Sequence, residues 1–178
     1  MKTLARAGYI VLAYISLSFE ILAVENAAAQ PANMGCVSEQ SANATQTLHC
    51  DNGITIIAEN GAKFELRDRN RDGHVDAVGL TSKALLVEVP KRAGRNRFEV
   101  VTPQAVAAVR GTKWAVDTAD GKTSVFVVDG RVGVARPAGG RRVVLGPGEG
   151  VDVEGTSPLV VKRWAPARAA ALLARLGQ

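Results

Sequence analysis

From Ile54 to Gly155 the chain repeats one cadence: a short run rich in valine, leucine or isoleucine, then a turn marked by glycine. Apolar runs of about four to eight residues between turn residues read as strands. ITIIAE and AKFELRD flank Asn60-Gly61, and KALLVEV and FEVVT flank the basic KRAGRNR. AVAAV, KWAVD, TSVFVV, VGVARP and VVLGPGEGVDV follow. Asp120-Gly121 and Asp129-Gly130 are expected to form hairpin turns, because both residue types tolerate the positive φ that two-residue turns need. SVFVV, residues 124–128, is apolar on both faces, so each face of that strand must be covered. This argues for a sandwich, barrel or coiled sheet instead of an open sheet with one wet face. Only 4% of the residues are aromatic, so valine, leucine and alanine must build the core.

Both ends have a different character. ARAAALLARL follows Pro166, a residue tolerated in the first turn of a helix, and predicts a helix from Pro166 to Leu176 ended by Gly177. Ala169, Leu172, Leu173 and Leu176 share one face, expected to dock on the β core with help from Trp164. At the start, basic MKTLARAG, apolar YIVLAYISLSFEILAV and small AAAQ form the pattern of a signal peptide over residues 1–29, cleaved after Ala29. A membrane anchor is the alternative if the segment is retained, although Glu20 interrupts its apolar run. The expected location is periplasmic or secreted. Cys36 and Cys50 then lie in an oxidising compartment, where a disulfide closing their 15-residue loop is worth about 3 kcal/mol. Residues 30–53 read as an extended lead-in pinned by that bridge, followed by a β domain over 54–160 and a helix and tail over 161–178.

DRNRDGHVD, residues 68–76, has the spacing of oxygen ligands around calcium. Asp68, Asn70 and Asp72 would bind by side chain, His74 by its backbone carbonyl and Asp76 directly or through water, with Val75 turned to the core. Gly79 stands at the twelfth position, where an EF-hand places a glutamate, so a structural calcium site or a charged turn is expected instead of a sensor. Catalytic patterns are missing: the two histidines are His49 and His74, and no GxSxG elbow or phosphate-cradling glycine loop occurs. No enzyme is expected. The formal charge is +5, concentrated in Lys91, Arg92, Arg95 and Arg97, in Arg141 and Arg142, and in Lys162, Arg163 and Arg168. Converged, these groups would bind an acidic envelope protein or an anionic envelope polymer; nucleic acid is not an expected partner outside the cytoplasm.

The stretch FEVVTPQAVAAVRGTKWAVDTADGKTSVFVVDGRVGVA, Phe98 to Ala135, and its continuation VVLGPGEGVDV resemble the FecR domain family. Thr102, Pro103, Arg110, Gly111, Thr112, Trp114, Gly130 and Arg131 carry the resemblance, with Leu145, Gly148, Glu149 and Val151 at its close. Residues 54–90 fit the family's first strands more loosely. The resemblance implies an all-β periplasmic domain with a coiled, β-helix-like or β-roll arrangement, here joined to a short C-terminal helix. Its best-understood members pass a signal from an outer-membrane receptor to a cytoplasmic sigma-factor system in iron uptake. Those members place a cytoplasmic anti-sigma segment and a transmembrane helix ahead of the domain, where this chain has a short basic leader. A non-enzymatic module that binds an envelope protein or other component is therefore expected; a calcium-stabilised module supporting envelope architecture is the alternative. Arg110 is expected to fix the Gly111 turn through backbone carbonyls, and Trp114 to pack in the core or a cleft.

Overall fold

The structure is a computed structural model that describes residues 34–41, 45–91 and 97–178. Its strands follow the turn cadence: β1 (Cys36–Gln40), β2 (Gln46–Cys50), β3 (Thr55–Ala58), β4 (Lys63–Arg67) and β5 (Ala77–Glu88) come first. Then come β6 (Phe98–Val101), β7 (Val106–Val109), β8 (Lys113–Ala119), β9 (Lys122–Asp129) and β10 (Val132–Ala135). β11 (Val143–Leu145), β12 (Glu149–Glu154), β13 (Lys162–Arg163) and the helix α1 (Pro166–Arg175) complete the chain.

β5 decides the architecture. Its first half pairs with β4 and β6, its second half with β3 and β8, and Lys83, at φ 64°, marks the bend between them. One long strand thus belongs to two leaves of a single curled sheet, a half-barrel. The front leaf runs β4-β5-β6-β7-β10-β11 and the back leaf β1-β2-β3-β5-β8-β9-β12-β13. Strand alternation sends Leu80, Phe98, Val100, Val109, Val132 and Val134 inward from the front leaf, against Leu85, Val87, Val116, Val125 and Val127 from the back leaf. Each such fully buried side chain contributes about 1.5–3 kcal/mol. Trp114 and Phe98 meet edge to face at the centre, with ring centroids 6.1 Å apart.

The two-faced strand expected at 124–128 is covered twice. Val125 and Val127 face the inner core, while Phe126 faces outward beside Ala84, Leu86 and Ala115, under Leu172 and Leu176 of α1. Trp164 stacks on Phe126 at 5.0 Å between centroids, and the Arg168 guanidinium lies 3.6 Å from the centroid of its ring. At the other end of α1, Arg175 forks onto Asp117 at 2.8 and 3.1 Å and onto Glu59 at 2.6 and 3.1 Å. The helix thus covers the outer face of the back leaf over β5, β8 and β9.

The structure meets some of these expectations and differs from others. The stretch read as an extended lead-in contains the β1–β2 hairpin, which continues the back leaf through β3. Cys36 and Cys50 are directly opposed in that hairpin and joined by a disulfide. Among the described residues every ladder except β5–β6 is antiparallel, unlike the parallel coils of a β-helix. Asp120-Gly121 does form the β8–β9 hairpin turn, with φ of 51° and 73°. Asp129-Gly130 does not form a hairpin: β9 and β10 lie in different leaves, and the turn carries the chain across. Gly130, at φ 87°, fits there because a β-carbon would stand 2.8 Å from the Gly111 carbonyl oxygen and the Thr112 hydroxyl. The signal peptide expected over residues 1–29 lies outside the described residues.

Candidate functional site

Among the described residues no helix lies over the outer face of the front leaf. Its central row is set by register: Glu99 on β6 pairs with Ala108 on β7, Ala108 with Gly133 on β10, and Gly133 with Val144 on β11. Two small residues in the middle make a shallow floor. Two residues from each member of the row, and so on the same face, stands an arginine: Arg97, Arg110, Arg131 and Arg142. The four arginines, with Ala108, Gly133 and Val144, line a trough of about 350 Å³.

Continuing the β6–β7 and β7–β10 registers by one residue brings Arg97, Arg110 and Arg131 to neighbouring positions across three strands. Like charges placed side by side on a sheet are destabilising. Glu99 relieves part of this repulsion, lying 3.5 Å from Arg97 and 2.6 Å from Arg69. Arg110, Arg131 and Arg142 have no ion-pair partner among the described residues. Arg142 folds over Gly133 into the space a side chain would occupy, and Val144 beside it is 55% exposed. The result is a concave, cationic surface with an apolar lip, suited to anionic groups that accept paired N–H donors.

A larger cleft, about 620 Å³, opens near β4 between Phe64, Leu80, Val101, Thr102 and Pro103, with Lys63, Glu65 and Arg67 on its rim. Its charges are mixed, so the arginine trough has the more specific chemistry.

The remaining sequence candidates have structural partners. Thr102 is buried, accepts the Ala105 N–H at 2.9 Å and meets the Thr123 hydroxyl at 2.8 Å, which locks the turn around Pro103. Thr112 donates its hydroxyl proton to the Arg131 carbonyl at 3.1 Å, tying the start of β8 to the interleaf crossing. Gly111, at φ 65°, passes too close to Lys91 to carry a side chain. Trp114 is core. Arg110 lines the trough instead of binding the carbonyls of the Gly111 turn as expected. Of the basic groups, Arg97 and Arg142 reach the trough, Arg141 stays exposed beside it in sequence, and Arg92 and Arg95 lie outside the described residues. The third basic group does not join them: Arg168 is held by Asp152 at 2.6 and 3.1 Å on the back leaf.

The loop from Asp68 to Asp76 turns its acceptors onto its own backbone. Asp68 accepts the N–H groups of Arg71, Asp72 and Gly73 at 2.6, 3.3 and 2.8 Å, Asn70 accepts that of Asp72, and Asp76 that of Arg69. The His74 N–H bonds Asp72 at 2.9 Å and holds its carboxyl below the usual carboxylate range. His74 also bonds Asp51 through Nδ1 at 2.8 Å, and Val75 is buried as expected. No set of three His, Cys, Asp or Glu arranged to hold a metal occurs among the described residues, so the calcium expectation gains no support from this geometry.

The family model described as FecR protein matches residues 39–133, more than half of the 178-residue chain. The chain belongs to the FecR family. The match begins within β1, well ahead of the strong resemblance at Phe98, and ends in β10; Val143–Val153 falls beyond it. The FecR-like fold is also seen in two crystal structures, at 2.50 and 1.65 Å, of a "putative anti-sigma factor" from Parabacteroides distasonis ATCC 8503. They align with TM-scores of 0.59 and 0.58 at 18% identity, over 78% of this chain and 63% and 64% of theirs. This chain therefore spans less than two thirds of the length of those relatives. No match was found among curated proteins. In this FecR domain the trough takes Arg97, just ahead of β6, and residues of β7 and β10 from inside the matched region, and Arg142 and Val144, at β11, from outside it. The sequence names all four arginines but scatters them, Arg97 and Arg142 in different basic groups and Arg110 and Arg131 among the residues that carry the family resemblance. Their shared offset of two residues from Glu99, Ala108, Gly133 and Val144 was the available signal.

Proposed function

We propose that this FecR-family domain is a non-catalytic interaction module that works outside the reducing cytoplasm and docks an envelope protein through the arginine trough. The convergence of Arg97, Arg110, Arg131 and Arg142 on the outer face of the front leaf carries this reading. A row of repelling cations lowers stability, and an anionic partner would relieve it. The Cys36–Cys50 disulfide supports an oxidising compartment, and both cysteines of the chain are used in it, leaving no thiol nucleophile. No helix among the described residues is long and apolar enough to cross a membrane. Family membership accords with a module that binds instead of catalysing.

The test is a photoreactive amino acid placed at Val144 in cells making the full chain. The expected result is a discrete protein adduct that disappears when Arg131 and Arg142 are both changed to glutamate. Adducts of equal yield with and without those arginines would remove the trough from the interaction.

A further inference from the structure

β11 ends the front leaf. It pairs with β10 on one side, and among the described residues no strand pairs with its other side. An unpaired strand edge offers backbone donors and acceptors to another extended chain. Here that edge adjoins the trough, and Arg142 and Val144 stand on the same outer face. We infer that the partner of the proposed interaction presents an extended acidic segment that adds as a strand to β11 and lays alternate carboxylates into the arginine trough.

The inference rests on the interaction reading above and adds its chemistry. Neighbouring strands lie about 4.8 Å apart. A residue opposite Val144 would thus extend the row Glu99, Ala108, Gly133, Val144, and its side chain would share the trough's face. Residues two places along the added strand point to that face again, so an acid at every second position meets Arg142 and Arg131 while the intervening residues face the other way. The guanidinium fork accommodates a carboxylate through two parallel N–H bonds. Phosphate groups satisfy the same forks. Only a polypeptide can also use the free edge, and the joint presence of edge and forks favours the acidic segment over a phosphate-bearing polymer. Glu99, already held by Arg69 and Arg97, repels carboxylates at the far side and confines the contact to the β10–β11 end.

The probe is a ten-residue peptide of alternating glutamate and valine, capped at both ends, added to the disulfide-bonded protein. Saturable binding is expected by fluorescence anisotropy, with Kd rising as salt is added and at least about tenfold weaker binding for R131E/R142E. Hydrogen exchange of the Val143–Leu145 amides should slow on binding. A fully N-methylated peptide, which keeps the charge and loses the donors, should bind at least about tenfold more weakly. Circular dichroism establishes that the arginine variants are folded. Equal binding by the methylated peptide, unchanged β11 exchange, or binding of inorganic polyphosphate without binding of the peptide would each overturn strand addition. The Val144 adduct reports separately: if it still requires Arg131 and Arg142 when the peptide fails, the interaction reading stands and only the acidic-strand inference is lost.

Discussion

Arg142 lies across Gly133, its guanidinium filling the space that a β-carbon there would need. The glycine is not in the left-handed region, so its role is to leave room on the face of the sheet. Gly133→Ala should push the flexible end of Arg142 off the trough floor while leaving the fold intact, with stability unchanged or raised by up to about 1 kcal/mol. The Val144 photoadduct should weaken severalfold at an unchanged Tm. A normal adduct yield would show that the position of Arg142 over the floor is immaterial to docking.

Trp114 and Phe98 define the centre of the core, and the Trp114 indole N–H is buried without a partner. Trp114→Ala should lower stability by about 3–5 kcal/mol through the cavity it opens. Trp114→Phe removes the unsatisfied donor along with part of the ring, so its loss should be clearly smaller. Urea denaturation of the two variants checks the order.

The helix is held at its C-terminal end by the Arg175 fork. Asp117 foremost, and then Glu59, raise the Arg175 pKa and keep it charged at every accessible pH. These groups are partly exposed, so Arg175→Ala should cost about 1 kcal/mol, less in high salt. Deleting α1 is far more severe. It uncovers Leu86, Ala115 and Phe126, and the truncated protein should bind a hydrophobic dye and aggregate.

Asp68 serves three backbone N–H groups of its loop. Asp68→Ala should therefore lower stability by about 1 kcal/mol, by the same amount in calcium and in chelator. A calcium-dependent rise in Tm or a titration heat that Asp72→Ala abolishes would instead establish the loop as a metal site.

His74 has its pKa raised, first by its hydrogen bond to Asp51 and then by the charge of that carboxylate. A group whose pKa is raised on folding contributes its stability fully below the unfolded value, about 6.5, and loses it as pH rises through the folded value. Relative to His74→Gln, the wild-type protein should hence be most favoured in mild acid, with the difference vanishing at alkaline pH. NMR titration of the His74 ring gives the midpoint directly, and a midpoint at or below the usual histidine value would dissolve the pairing.

Much of the fold was legible because it is local. Alternating valines predicted strands, Asp120-Gly121 predicted its hairpin, and the spacing of Ala169, Leu172, Leu173 and Leu176 predicted the docked face of α1. SVFVV, apolar on both sides, required two covers and has them in the opposite leaf and the helix. The leaf to which each strand belongs was not legible. Asp129-Gly130 has the local preferences of a hairpin turn, but β9 and β10 find better partners in β12 and β7, so the turn crosses between leaves. In the same way each arginine's face follows from strand periodicity, whereas the trough exists only because β6, β7, β10 and β11 lie side by side. Backbone preference and side-chain alternation act within a few residues and are written in the sequence; strand neighbours are chosen by burial and hydrogen bonding over the whole chain, and tertiary structure alone decided that these cations share one surface.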